Sequence, residues 1–270
     1  MNDLSQDFLP KSHLPGHVHL IGAGPGDPEL LTRRALRLMV EADVVVHDRL
    51  VSPEIMALIP AHVRRIDVGK LPKAHKVPQE GINALLIDLA RQGLRVARVK
   101  GGDPLIFGRG SEEAEACRAA GVPCDYTPGI TSAQGAACST GVPLTHRGLA
   151  TGVRYVTGHR ARDGALELDW ASLASGDTTL VVYMGVANIA EISQRLRAHG
   201  LPADTPVLAV ASATTPRETR VLSDLAGIAA AVAYTEAPVL FIIGRVVSLY
   251  EPALLASALA CEGAGMAAYA

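Results

Sequence analysis

The chain has little aromatic content, 4% of 270 residues, no apolar run approaching the roughly 18 residues of a membrane span, no C-x-x-C pair, and almost no net charge, −2 at pH 7. Each shortage excludes something. Without an apolar run, and with an N-terminus MNDLSQDFLPK that lacks the apolar core of a signal peptide, the sequence points away from the membrane and makes the cytoplasm the expected location. Cys117, Cys124, Cys138 and Cys261 show no regular spacing, so they read as reduced thiols and not as a disulfide framework. A nearly neutral chain offers no broad basic field to nucleic acid or to an acidic membrane surface. An anionic ligand must then be met by a local basic site.

What is present is Ala, Val, Leu and Gly. A hydrophobic content of 49% in 270 residues suffices for one large packed domain or two ordinary ones. The balance suits an α/β protein with parallel strands and close helix packing. Residues 1–16 carry no periodicity and are expected to form a loose arm. Val18 to Ile21 reads as a short buried strand. After it Asp27 suits an N-cap, Pro28 a first helical position, and Leu31, Ala35, Leu38 and Met39 follow at helical spacing. Asp43 to His47 holds three consecutive valines, the pattern of a strand covered on both faces. A shorter segment at Ile55 to Ile59 and a strand near Arg64 to Val68 come next. Ile82, Leu85, Leu86 and Leu89 then repeat the helical period, Gly93 ends that helix, and Leu94 to Val99 is the next strand.

The stretch Lys100 to Glu113, KGGDPLIFGRGSEE, lies between that strand and a helix expected from Ser111 to Ala120. A turn so rich in residues without a Cβ lets a ligand approach the backbone. The earlier GAGPGDPELL, Gly22 to Leu31, shares its Gly-Asp-Pro core, and the two turns suggest two walls of one cleft. In an open α/β sheet such turns sit at the carboxyl ends of strands, where ligands bind. A strand at Pro123 to Tyr126 closes the first series. From Thr127 small residues and turn formers dominate, so residues 17–128 read as one α/β domain and 129–152 as a linker. A second α/β domain, 153–256, is expected from strands at Val153 to Thr157, Thr179 to Tyr183, Pro206 to Ala211, Arg220 to Leu222 and Val239 to Ile243, with a helix near Ala187 to His199. The pair Arg220 to Leu222 and Val239 to Ile243 is open to an antiparallel arrangement. Residues 257–270 form an alanine-rich tail.

Gly22-Ala23-Gly24 after a strand, with Asp48 closing the next one, invites a dinucleotide reading. Against it, the third glycine of G-x-G-x-x-G falls at Asp27, which sets a carboxylate where a pyrophosphate would meet a helix N-terminus. Pro28 also removes a donor there. A neutral or cationic ligand suits the turn better. Asp27 and Asp103 are equally the residues expected to cap helices, and capping and ligand approach are compatible.

In order and separation, VHLIGAGPGDPELLT, ADVVVHDRLV, VKGGDPLIFGRGSEE, YTPGITSAQGAA, GVPLTHR, VTGH and VVYMG closely resemble the uroporphyrinogen-III C-methyltransferase family of the tetrapyrrole methylase superfamily, over Val18 to about Leu249. The resemblance implies two α/β domains with S-adenosylmethionine in the cleft between them, and a homodimer; 270 residues leave no room for the extra dehydrogenase and chelatase domain of some sirohaem enzymes, so a stand-alone methyltransferase is expected. It implies cofactor contacts from Pro25, Gly101, Gly102, Asp103, Ile106, Thr131, Ser132, Met184 and Ala213. Ser132 stands where the family often has alanine, and Ser-Ala-Thr at 212 to 214 is a loose match. The implied reaction is two successive methyl transfers to uroporphyrinogen III, giving precorrin-2 for sirohaem, cobalamin or haem d1 and releasing S-adenosylhomocysteine. No metal is required.

A substrate with eight carboxylates calls for arginine forks. Arg49, Arg109 and Arg147 are the candidates, with Met184 beside them and with Lys70, His146 and His159 as weaker ones. The resemblance makes Arg109 and Glu112 a catalytically important pair, in which Glu112 is expected to orient Arg109. Methylation of a later precorrin and, from another class, a nucleotide-binding oxidoreductase are the competing readings.

Overall fold

The computed structural model describes residues 16–69, 78–160, 164 and 166–251. The expected arm (apart from Gly16), the tail, and Lys70 lie outside these residues. The chain divides into two compact units with the boundary between Ile130 and Thr131. None of the helices among the described residues is long and apolar enough to cross a membrane.

The first unit is a five-stranded sheet of β1 (His17–Gly22), β2 (Val44–His47), β3 (Arg64–Asp67), β4 (Arg95–Lys100) and β5 (Cys124–Thr127), in spatial order β3-β2-β4-β1-β5 and parallel throughout. Its helices are α1 (Arg33–Glu41), α2 (Pro53–Ala57), α3 (Gln79–Arg91) and α4 (Gly110–Ala119). The valines of β2 show why the strand has no polar alternation. Val44 and Val46 pack with Leu86 and Leu89 of α3, while Val45 packs on the other face with Ala35 and Met39 of α1. Gly93, at φ +80°, reverses the chain after α3 as its sequence position predicts. Chain leaves β1 toward one face and β4 toward the other, so these neighbouring central strands mark a topological switch point at their carboxyl ends.

Asp27 does not cap α1. It caps a three-residue 3-10 turn, Pro28–Leu30, by accepting from the Glu29 amide at 2.8 Å. The chain is extended again at Leu31, and Thr32 caps α1 through the Ala35 amide. Pro28 favours the turn, but α1 starts only where Ala35, Leu38 and Met39 have an apolar surface to cover.

The second unit contains α5 (Ser132–Thr140), β6 (Gly152–Thr157), α6 (Trp170–Leu173), β7 (Thr178–Tyr183), α7 (Ile189–Ala198), β8 (Pro206–Ala211), β9 (Thr219–Asp224), α8 (Ile228–Ala231) and β10 (Val239–Ile243). Its sheet runs β6-β7-β10-β8-β9. Only β6 and β7 pair in parallel, and β8 is antiparallel to both β9 and β10. The strands at 219–224 and 239–243 therefore do not pair with each other, because β8 lies between them. Within residues 129–152, where the sequence suggests a linker, α5 buries Ala133, Gly135 and Ala136. The two alanines join a core cluster with Val142, Ala150 and Val181. Small residues give a helix no pronounced apolar stripe, so close packing and not amphipathicity holds it.

Candidate active site

The two glycine turns are laced together at the β1/β4 switch point. The Ala23 amide donates to the Lys100 carbonyl at 2.8 Å, and Gly24 and Gly102 exchange amide–carbonyl hydrogen bonds of 3.1 and 2.7 Å. The loop after β5 enters the same junction. A Cβ on Gly22 would come within 2.5 Å of the Gly129 nitrogen and 2.6 Å of the Gly102 oxygen. Three backbones thus meet where side chains would keep them apart. Beyond any ligand approach, these glycines serve the mutual approach of loops. Pro25 sits half-buried in the first turn, and the buried Ser52 hydroxyl donates to the Gly26 carbonyl at 2.7 Å, fixing that turn to the start of α2.

Asp103 caps no helix. Its Oδ1 accepts from the Leu105 amide at 2.8 Å and its Oδ2 from the Gly129 amide at 3.1 Å. Gly101 lies against Leu50, and Gly102 needs φ +68°, which a side chain would strain. Ile106 closes the next turn, donating from its amide to the Asp103 carbonyl at 3.3 Å. The Gly110 amide returns to the Pro104 carbonyl at 2.9 Å, and a Cβ on Gly108 or Gly110 would strike that carbonyl at 2.8 or 2.6 Å. The segment from Gly101 to Gly110 is a closed, internally bonded turn.

Arg109 occupies the N-cap of α4 at φ +57°, a left-handed conformation unusual for a non-glycine residue. Its guanidinium grips Glu112 bidentately, Nε to Oε1 at 2.9 Å and Nη2 to Oε2 at 2.7 Å, with both side chains about half exposed. The hydrogen bonds hold Glu112 below its ordinary carboxylate range and push Arg109 further up. Arg109 is thus no proton acceptor. It is a permanently charged fork with one edge oriented by Glu112.

Beneath this turn lies a buried ionic network that the sequence did not single out. Glu113, fully buried in α4, accepts at Oε1 from Arg98 Nε and Nη2, both 3.1 Å, from Lys100 Nζ at 2.9 Å, and from Gln79 Nε2 at 3.2 Å. Arg98 Nη2 also reaches Asp48 Oδ1 at 2.7 Å, and Lys100 Nζ lies 3.6 Å from Asp48 Oδ2. The pattern was hidden because Arg98 and Lys100 alternate with apolar residues in β4 as if they faced solvent. Asp48 precedes Arg49, Lys100 precedes Gly101, and Glu113 follows Glu112, so the network anchors the backbone next to these three candidate residues. Arg49 itself is exposed in the turn after β2.

In the second unit, Thr131 caps α5 through the Ala133 amide, and its Oγ1 lies 2.6 Å from the Tyr183 hydroxyl. Tyr183 was missed, although it adjoins Met184 in the quoted VVYMG. Burial raises the pKa of its phenol, which stays neutral and hydrogen-bonding. Ser132 is half-buried at the start of α5. Met184 follows β7 at φ +53° and is half exposed. Ala213 is buried between Ser212 at φ +50° and Thr214 at φ +65°, so its methyl group belongs to the core and only its main chain is left for a ligand. Backbone strain of this kind, about 1–3 kcal/mol per residue, gathers at functional positions. Arg147 projects from a tight turn closed by His146 and Ala150, and makes no ion pair among the described residues. His146 is exposed beside it with Nδ1 on the Arg147 carbonyl, and His159 is exposed after β6.

The model of the tetrapyrrole (corrin/porphyrin) methylases matches residues 17–229. The chain is 67% identical to the uroporphyrinogen-III C-methyltransferase of Paracoccus denitrificans over 89% of its own length and 84% of that protein's. It is 52% identical to the siroheme synthase of Acinetobacter baylyi over 87% of its length, and spans about half of that relative. Among solved structures, the Thermus thermophilus uroporphyrin-III C-methyltransferase complexed with S-adenosyl homocysteine superposes with a TM-score of 0.76 at 42% identity, covering 87% of this chain and all of that one.

Proposed function

Because the chain belongs to the tetrapyrrole (corrin/porphyrin) methylases, we propose that its Asp103 turn holds a methyl donor and its Arg109–Glu112 fork a methyl acceptor. The enzyme is a uroporphyrinogen-III C-methyltransferase that uses S-adenosylmethionine and forms precorrin-2 by two methyl transfers. One observation carries the assignment of roles. The stretch from Gly101 to Arg109 is a single internally bonded turn, laced to the first glycine turn at one end and bearing an exposed, pre-oriented guanidinium at the other. Its closure sets the distance between the two ends without help from a ligand.

The residues present fit the donor. Asp103 spends one acceptor position of each oxygen on an amide, and a carboxylate offers about two per oxygen, which leaves capacity for a hydroxyl or ammonium group. When bound, S-adenosylmethionine supplies an electrophilic methyl group, which a pyrrole carbon takes by in-line displacement as S-adenosylhomocysteine leaves. Gly101, Gly102, Pro25 and Ile106 shape the backbone around that group, and Thr131, Ser132, Met184 and Ala213 are read as further contacts, Ala213 through its main chain. Arg109, Arg49 and Arg147 hold the substrate's carboxylates, with Met184 as an apolar contact. A permanently protonated Arg109 leaves the macrocycle's departing proton to water or a substrate carboxylate. A homodimer working in the cytoplasm completes the reading, and family resemblance supports it.

Anaerobic incubation with uroporphyrinogen III and S-adenosylmethionine is expected to yield a product heavier by two methyl groups on mass analysis. Folded protein that adds none would refute the assignment. Asp103→Ala is expected to weaken S-adenosylhomocysteine binding measured by calorimetry about tenfold or more, since it removes a charged acceptor and releases the Gly129 amide. Affinity equal to that of the unaltered protein would take Asp103 out of the donor site.

A further inference from the structure

At the opposite end of β1 from the glycine turns lies a cluster that methyl transfer does not use. His17 and His19 stand two residues apart on one strand, so both point to the same face of the sheet. That face is the one covered by α1, since Ile21, of the same parity, packs with Ala35 and Met39. In β5, Asp125 pairs directly with His19. By strand rise the cluster lies roughly 10–16 Å from Gly22.

We propose that His17, His19 and Asp125 bind a borderline divalent transition-metal ion, of the class of zinc or cobalt(II), through two imidazole nitrogens and a carboxylate. The donor atoms all lie within 4.8 Å of one another. His19 Nδ1 is 2.8 Å from Asp125 Oδ1, and His17 Nε2 is 3.5 Å from Asp125 Oδ2. With ligands 2.0–2.2 Å from a tetrahedral ion, donor atoms stand about 3.3 Å apart. A carboxylate binding through one oxygen meets one of these contacts directly, His17 at Oδ2 already at that spacing or His19 at Oδ1 about half an ångström short of it, and the remaining donor separations stay within 4.8 Å. His17 Nε2 is sheltered from solvent yet has no hydrogen-bond partner among the described residues, a cost that a coordinated ion would remove. The two rings stack at 4.3 Å between centroids, which holds both nitrogens toward the carboxylate. Two histidines and one carboxylate leave a coordination position for water or another ligand.

Arg34 of α1 is the competitor. Its Nη2 donates to Asp125 Oδ2 at 2.9 Å, so a guanidinium now neutralises the carboxylate. The side chain is half exposed and can turn into solvent when an ion takes its place. This makes Arg34 the means of separating a metal site from a cluster that only ties α1 to the sheet edge. A merely structural cluster would be weakened by Arg34→Ala and would gain no affinity for metal.

The test is titration with cobalt(II) chloride, followed by visible absorption, and with zinc chloride by calorimetry, in a Cys138→Ser background that removes an exposed thiol. The protein is expected to bind one equivalent. His17→Gln and Asp125→Asn should each weaken binding more than roughly tenfold, the lower end of what loss of even an outer partner costs. Arg34→Ala should tighten it. Because Asp125→Asn also deprives Arg34 of its partner, His17→Gln is the deciding variant, with circular dichroism confirming its fold. No stoichiometric binding by the parent protein, or equal binding by His17→Gln, overturns the proposal.

Discussion

Glu113→Ala is expected to destabilise the protein by about 3–5 kcal/mol, the cost of removing one member of a buried ionic network and leaving the others charged. Arg98 and Lys100 are almost wholly buried, and with Glu113 gone their remaining anion is Asp48, which is about one-third exposed. A native domain has only about 5–15 kcal/mol in all, so the loss would be a large part of the first unit's stability. Chemical denaturation followed by circular dichroism measures it as a lower midpoint. Glu113→Gln keeps the shape and one acceptor, and should fall between the parent and the alanine variant. A double-mutant cycle of Glu113→Gln with Lys100→Met isolates the coupling, because the second change removes one of the stranded charges. A loss below about 1 kcal/mol for Glu113→Ala would mean that Asp48 alone compensates both cations, and the network would then not be what anchors the turn.

Arg109→Lys should instead leave stability nearly untouched and lower turnover by roughly 100-fold, as expected when a reactant loses its positioning. The pair with Glu112 is half exposed on both sides, and such pairs contribute about 0.2–1 kcal/mol. Lysine keeps the charge but loses the planar fork that meets Glu112 with Nε and Nη2 while presenting its other edge. S-adenosylhomocysteine affinity, measured by calorimetry, should stay within about twofold, which separates this defect from that of Asp103→Ala. Glu112→Gln should give a smaller fall in turnover, because one oxygen remains to accept from the guanidinium. Unchanged turnover in Arg109→Lys would remove Arg109 from the acceptor site.

Much of the fold was legible in advance because its signals are local. The three valines at 44–46 specify a strand buried on both faces whichever partners it finds, and all ten expected strand segments correspond to strands in the structure. The candidate turns were legible for the same reason, since Gly-Gly-Asp-Pro and Gly-Ala-Gly-Pro-Gly permit few backbone paths. Where signals depended on remote partners, the reading stopped. The helix α5 has almost no polar-to-apolar asymmetry and forms because its alanines fit a core supplied by distant segments such as Val181 and Leu240. The choice of Thr32 over Asp27 as the cap of α1 was equally invisible, because both are good capping residues and only packing decides where a helix begins.

The candidate site divides along the same line. Family resemblance, read from the sequence, paired Arg109 with Glu112, whereas the fork itself closes from an Arg109 held outside the helix at φ +57°, a conformation that belongs to the folded turn. The sequence by itself also determined the alternation of strands and helices, the two Gly-Asp-Pro turns and the short distance from Asp103 to Arg109. Tertiary structure alone decided that Gly22, Gly102 and Gly129 meet, that the buried Arg98, Lys100 and Glu113 neutralise one another with a partly exposed Asp48, and that His17, His19 and Asp125 share one face of a sheet edge. The physical reason is that strand neighbours are chosen by the whole core. In the order β3-β2-β4-β1-β5, β1 acquires β4 and β5 as partners from about 75 and 105 residues away, and no local preference in either segment specifies that pairing.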